Sequence, residues 1–292
     1  MRKEIVVFAL ACLLCMPAWA KQEKKHNLEI AYEHSSYTYK EPHMEKKVKD
    51  SGSKNGVSMR YTMRSLLSSE FDEADPSFAM LDLRYMRGDV KYEGWMGYTD
   101  FNTGEEWSEP YSQSGLDDYY FEAALKAGRI LTLGTDRLEL WPYLGIGWRQ
   151  LTNHADELTG GYKRTQTYVY IPIGTDFKWK VDDRFSLTLN GQFDWLIHGN
   201  NHNDGVLSPD LSEVESISMG QDQGYGLRLS VRADIEAGKV GFFVEPFWRY
   251  WHIQNSEEFW LYWGGDPSQP AICFVEPFNT TREYGLRVGI TF

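Results

Sequence analysis

The amino-acid sequence predicts an all-β protein, a single ten-stranded antiparallel transmembrane β-barrel with short turns at one rim and long loops at the other. Three observations carry this prediction. Ten stretches alternate apolar with polar or small side chains at period two, the period of an extended strand. No apolar run approaches the roughly 20 residues that a spanning helix needs. The final stretch, 282–292, puts Tyr284, Leu286, Val288, Ile290 and Phe292 on one face and Glu283, Gly285, Arg287, Gly289 and Thr291 on the other, and ends on the aromatic. The mean hydropathy of -0.50 does not oppose this, because a membrane strand exposes apolar groups on one face only.

Residues 1–20 have the form of a secretory signal: Arg2 and Lys3, an apolar stretch from Ile5 to Met16, then Ala18-Trp19-Ala20 as a small-x-small cleavage site. The apolar run is too short for a membrane anchor. The expected mature chain, 21–292, is one barrel domain with a formal charge of -13, against -12 for all 292 residues, since the signal carries two bases and one acid. That acidity argues against nucleic acid or anionic lipid as partner. Cys12 and Cys15 leave with the signal, so Cys273 remains alone and forms no intramolecular disulfide.

The ten predicted strands are 27–40, 56–65, 77–93, 117–127, 137–153, 162–181, 184–198, 223–236, 239–254 and 282–292. Alternation is clearest late in the chain. In the eighth stretch Tyr225, Leu227, Leu229, Val231, Ala233 and Ile235 oppose Gly226, Arg228, Ser230, Arg232 and Asp234. Tight turns at Asp182-Asp183 and Ala237-Gly238 fall on one side of the barrel, and long connections, 41–55, 94–116, 199–222 and 255–280, on the other. Short turns at one rim and long loops at the other are the asymmetry of membrane barrels, and they put both termini at the short-turn rim. Aromatic usage agrees: 11 Trp and 18 Tyr, with Trp95, Trp107, Trp148, Trp195, Trp248, Trp251, Trp260 and Trp263 near predicted outer strand ends or loops. Trp148, Trp195, Trp248, Tyr250 and Phe292 are the candidate membrane-interface aromatics, since such rings prefer the boundary between apolar and wet.

With its signal, its alternation and its terminal Tyr-x-Leu-x-Val-x-Ile-x-Phe pattern, the chain resembles the outer-membrane β-barrel proteins of Gram-negative bacteria. The resemblance covers most of the mature chain. It implies the outer membrane as location and the bilayer and lipopolysaccharide as surroundings. The barrel-assembly machinery and periplasmic chaperones are the implied partners during biogenesis, the terminal pattern being the assembly signal. It identifies a class and no activity.

Turning the apolar faces outward fixes an inward set: Glu29, Glu33, Asp82, Glu122, Glu139, Asp194, Asp234, Glu245 and Glu283 as acids, with Arg60, Arg64, Arg84, Lys126, Arg149, Arg228, Arg232, Arg249 and Arg287 as bases. The signs balance. Charges in a narrow bore are costly unless paired, and a ten-strand bore is little wider than an eight-strand one that side chains fill. The expectation is a lumen plugged by Arg–carboxylate pairs, with the acidic excess in the loops, for example Asp117, Asp118, Asp204, Asp210, Glu213 and Glu215. The same ladder could instead form a narrow channel.

Ten strands and about 270 mature residues also resemble the omptins, outer-membrane proteases in which an aspartate pair faces an Asp-His dyad, its members two residues apart, at the outer rim. Here the nearest match is Asp194 and His198, which share a face of an ideal strand but lie four residues apart, a departure from that pattern. They are the residues to test for a rim-active hydrolase. For a Ser-His-acid lipid hydrolase no spacing brings a nucleophile beside a base on one face, and His154, His198 and His202 read as loop histidines. His198, His202 and Asp204 are the one imaginable metal set, and no cofactor is implied. The expectation is therefore a non-enzymatic barrel, structural or binding an extracellular ligand through acidic, aromatic-rich loops.

Overall fold

The computed structural model describes residues 25–42, 47–68, 75–99, 106–158, 161–207, 214–263 and 266–292. The predicted signal, residues 1–20, and the expected loop acids Asp210 and Glu213 lie outside them. The strands are β1 (His26–Glu41), β2 (Val48–Arg64), β3 (Ser77–Thr99), β4 (Glu106–Arg129), β5 (Leu131–Thr132), β6 (Leu138–His154), β7 (Lys163–Lys180), β8 (Phe185–Leu207), β9 (Val214–Gly220), β10 (Gly224–Ala237), β11 (Val240–Ile253), β12 (Phe259–Tyr262), β13 (Pro270–Phe274) and β14 (Asn279–Thr291). Every barrel pairing is antiparallel, and β14 pairs with both β11 and β1 while β10 pairs with β8, so the sheet closes into a ten-stranded barrel. Closure leaves the ring of ten strands no open edge. At the seam the backbones of Leu28 and Phe292 bond reciprocally.

Tyr32, Val57, Leu125, Leu144, Ile146, Leu189, Leu229, Val231, Val244, Leu286 and Val288 stand exposed on the outer wall and form an apolar belt. Trp195 stands at its upper margin, where Trp248 stacks on Tyr250 and Trp148 packs on Phe121. Trp251 belongs instead to the interior: it is buried and stacks on Tyr168, with its neighbours Trp248 and Tyr250 on the other face of β11. The short turns end the belt below. Asp182 accepts from the amides of Arg184 and Phe185 between β7 and β8, and Gly238 turns β10 into β11 at φ +75°, a conformation glycine adopts without strain.

The stretches expected as long outer loops are largely strand. β2 begins at Val48, β3 runs to Thr99, β4 starts at Glu106 and β8 runs to Leu207, where β9 pairs with it. Above Tyr32 the outward residues of β1 are His34, Ser36, Thr38 and Lys40, opposite Asn55, Ser53, Ser51 and Lys49 on β2. The apolar outer face ends while the backbone ladder continues, so hydropathy loses the strand where the membrane belt stops. The barrel thus rises above its belt as a polar-walled cuff. Within the 255–280 connection, the described strand ahead of β14 is the β12–β13 hairpin.

Inside, rings lie over the glycines directly opposite them on the neighbouring strand. A Cβ on Gly147 would meet the Tyr170 ring at 2.2 Å, and one on Gly285 would meet Phe247 at 2.3 Å. Tyr168, Tyr170, Leu196, Trp251 and Ile253 form one buried cluster and Tyr37, Tyr39, Val90 and Leu116 another inside the cuff.

Candidate functional site

Most of the inward charges predicted from sequence meet in ion pairs inside the bore, some between neighbouring strands and some across it. Arg60 grips Asp82 through two nitrogens at 2.6 and 3.2 Å, and Lys126 reaches the same carboxylate at 2.8 Å. Arg232 bridges Glu29 and Asp234, both at 2.6 Å, and Arg287 reaches Glu245 at 2.6 Å. In the middle Arg84 joins Glu33 at 3.2 Å to Glu122 at 2.5 Å, and Arg228 joins Glu122 to Asp194, each at 2.5 Å. Arg249 lies 2.8 Å from Glu33, while Glu283 lies 3.5 Å from Arg149 and accepts from the Tyr120 hydroxyl at 2.8 Å. Two residues stand apart. Glu139 pairs with Lys180 at 2.5 Å on one wall, and Arg64 lies over the Trp141 ring, 5.6 Å from its centroid.

Several of these pairs join strands that are not neighbours: β1 with β10 through Glu29 and Arg232, β4 with β10 through Glu122 and Arg228, β6 with β14 through Arg149 and Glu283. Such a pair can close only through the lumen, so each one obstructs it. A cavity of about 50 Å³ lined by Arg60, Asp82, Arg232 and Glu245 remains, room for a few waters.

The charge balance read from sequence ends at the cuff. Glu41, Asp50, Asp118 and Glu276 are also buried there, with Lys54 and Arg164 as their bases. Sequence reasoning missed this set because Glu41, Asp50 and Lys54 sat in an expected loop and Asp118 was read as a loop acid. In the structure Asp117 turns outward to Arg87 at 2.7 Å, while Asp118 turns inward onto Lys54. Arg164 contacts Glu276 at 2.9 Å and Glu41 and Asp50 at 3.5 Å, three carboxylates for one guanidinium. The Tyr39 hydroxyl lies 2.9 Å from Glu276 and 3.0 Å from Glu41. It has one proton to donate, so the second contact is a hydrogen bond only when that carboxyl carries its own proton. Burial, with the neighbouring Glu276, pushes Glu41 up to about 7, and burial, with Asp118 adding to it, pushes Asp50 up to about 6.

Asp194 and His198 do not share a face. The β7–β8 register slips between Val169 and Tyr170, so that Tyr170 faces Leu196 and Val169 faces His198, one extra residue on β8. That bulge turns His198 outward, where it lies 2.9 Å from Asp222, while Asp194 stays buried against Arg228. The proposed metal set is likewise divided: His202 pairs with Asp204 instead, and no metal-binding group of three such side chains forms among the described residues.

The absence of a nucleophile beside a base also needs correcting. Beyond the bulge, β9 pairs with β8 so that Ser218 faces His202 and Ser216 faces Asp204. Ser218 Oγ lies 2.8 Å from His202 Nδ1, and His202 Nε2 lies 2.9 Å from Asp204 Oδ1. The sequence signal available was His202-x-Asp204 with Ser216-x-Ser218, two period-two pairs that meet only if a hairpin joins them. The pair projects from the outside of the wall, so it cannot face an aspartate pair across the bore as an omptin dyad does.

No family model matches the chain, and no curated protein is similar to it at sequence level. Solved structures are similar. The outer membrane protease OmpT from Escherichia coli superposes with a TM-score of 0.58 at 10% identity, over 91% of this chain and 96% of that one. The transport unit of the autotransporter AIDA-I from Escherichia coli gives a TM-score of 0.40 at 10% identity, over 98% and 96%. Ail, the attachment invasion locus protein of Yersinia pestis, gives 0.31 at 9%, over 92% and 100%. A closed ten-stranded antiparallel wall, an apolar outer belt and this likeness together give the chain the fold of the Gram-negative outer-membrane β-barrel proteins.

Proposed function

We propose that this protein is a sealed, non-conducting barrel of the outer membrane that carries its function on the extracellular cuff. The cross-lumen ion pairs between non-adjacent strands carry the reading. A porin needs a continuous wet path, and here guanidinium groups and carboxylates neutralise each other across it. In this reading residues 1–20 direct export and are removed, and residues 21–292 insert with the help of the assembly machinery and periplasmic chaperones. The belt sits in lipid and the cuff stands in the lipopolysaccharide layer. The barrel is architectural, holding a polar, acidic, aromatic-rich surface outside the cell where an extracellular ligand would meet it.

The test is conductance. Protein refolded into planar bilayers, its fold verified by heat-modifiable gel mobility, is expected to give no stable single-channel steps. Regular ohmic steps from the folded species would overturn the reading in favour of a narrow channel.

A further inference from the structure

The outer face of the cuff holds a feature that a sealed architectural barrel does not need. His202 faces Ser218 across the β8–β9 ladder and Asp204 faces Ser216. Asp204 accepts from Ser216 Oγ at 2.7 Å and lies 2.9 Å from His202 Nε2, and His202 Nδ1 lies 2.8 Å from Ser218 Oγ. An ionised carboxylate only accepts, so in the neutral ring Nε2 carries the proton and Nδ1 offers its lone pair to the Ser218 hydroxyl. That is the tautomer a general base requires. The ring is turned end for end relative to the serine-protease arrangement, but either nitrogen of a neutral imidazole can act as the base. The Ser216 hydrogen bond holds the Asp204 carboxyl below its ordinary range, which keeps it ionised.

The nucleophile also has a donor of its own. The Gly220 carbonyl accepts from the Glu257 amide at 2.8 Å, while the Gln221 amide turns to Gly199 at 2.9 Å. Backbone polar groups alternate along a strand, so the Ser218 amide, like the Gly220 carbonyl, points to the edge of β9 away from β8. Among the described residues no strand of the barrel pairs with that edge.

We propose that Ser218, His202 and Asp204 form a hydrolytic site for carboxylic esters held outside the membrane, at the level of the surface sugars. Ser218 Oγ attacks the ester carbonyl carbon and passes its proton to His202 Nδ1. The Ser218 amide faces the oxyanion, and Asp204 stabilises the imidazolium through Nε2. Collapse expels the alcohol, which takes the proton from His202. Water, deprotonated by His202, then attacks the acyl-serine, releasing the carboxylic acid and restoring Ser218. The level follows from the strand: His202 is five residues beyond Ile197, an exposed apolar residue on the outer face of β8, which at about 3.3 Å per residue on a tilted strand is on the order of 12 Å above the belt.

The test uses the whole protein folded in detergent, with a fluorophosphonate probe and two esters, p-nitrophenyl acetate and p-nitrophenyl palmitate. The expected result is labelling at Ser218 and hydrolysis of the acetate, both reduced by about 10²-fold or more in Ser218→Ala and His202→Ala. Ser53→Ala, on the outward face of β2, is the control and keeps both. Retained heat-modifiable mobility shows that the variants fold. An unlabelled wild-type protein, labelling that survives Ser218→Ala, or faster turnover of the palmitate would each overturn the proposal, the last by moving the substrate into the leaflet. Conductance is blind to all of these outcomes, so failure here leaves the sealed-barrel reading to its own test.

Discussion

Arg228 reaches from β10 to Glu122 on β4 and Asp194 on β8, so three strands meet at one guanidinium. Its planar fork serves two carboxylates at once, with a second nitrogen on Glu122 at 3.0 Å. Arg228→Ala removes the cation and leaves buried carboxylates behind. The expected cost is about 3–5 kcal/mol, the range for breaking a buried pair from one side. It is read as a lower urea midpoint for loss of heat-modifiable mobility. Arg228→Lys keeps the charge but loses the two-point grip, and is expected to restore only part of the loss. Arg228, Glu122 and Asp194 were each legible as inward-facing from period two alone. That Arg228 serves both acids was not, because reach across a lumen depends on which strands oppose one another.

At the scale of elements Glu276 ties the connection between β11 and β14 to the mouth, beside the Glu257 amide on the Gly220 carbonyl and Leu261 packed with Ile217 and Met219. Glu276 accepts from Arg164 at 2.9 Å and Gln166 at 3.1 Å, and from or beside Tyr39 at 2.9 Å. Glu276→Ala is expected to loosen that connection and speed its cleavage by an added protease, with the barrel core remaining resistant. The same cluster makes the cuff pH-dependent. Glu41 and Asp50 have folded values of about 7 and about 6, above the ordinary 4.5 and 3.8 of a solvated carboxyl. The folded cuff therefore binds protons that the opened one releases, so stability rises as pH falls. The contribution is complete below about pH 4 and is lost as pH climbs through 6 to 7. Protease protection of the cuff is expected to weaken from pH 5 to pH 8, and Glu41→Gln, which stays neutral, is expected to flatten that profile. Protection that strengthens with pH would refute the assignment. The elements themselves were readable only where one face met lipid. β10, β11 and β14 alternate cleanly and were placed to within a few residues, while the upper parts of β2 and β8 vanished into expected loops because their outward faces are largely polar. The bulge near His198 was invisible for a related reason: one added residue leaves composition unchanged and reverses every face beyond it.

For the whole molecule, the plug and the wall make separable contributions. Closure of the backbone ladder holds the barrel, and the ion pairs fill it. Replacing Arg84, Glu122 and Arg228 together by Ala removes two bases and one acid from the middle of the bore, and is expected to create measurable ion steps in bilayers where the wild-type protein gives none. A barrel that stays silent would show that the aromatic cluster around Tyr168, Tyr170 and Trp251 seals the bore by itself. The sequence by itself determined the fold class, the strand count and the inward or outward sense of most belt residues, since each follows from a local period of two imposed by lipid on one side. Tertiary structure alone decided which charges pair across the lumen, how far the wall rises beyond the belt, that Glu41, Asp50 and Glu276 share Arg164, and that Ser218 meets His202. Those contacts join residues distant in the chain, and only closure and register of the barrel bring them within hydrogen-bonding reach.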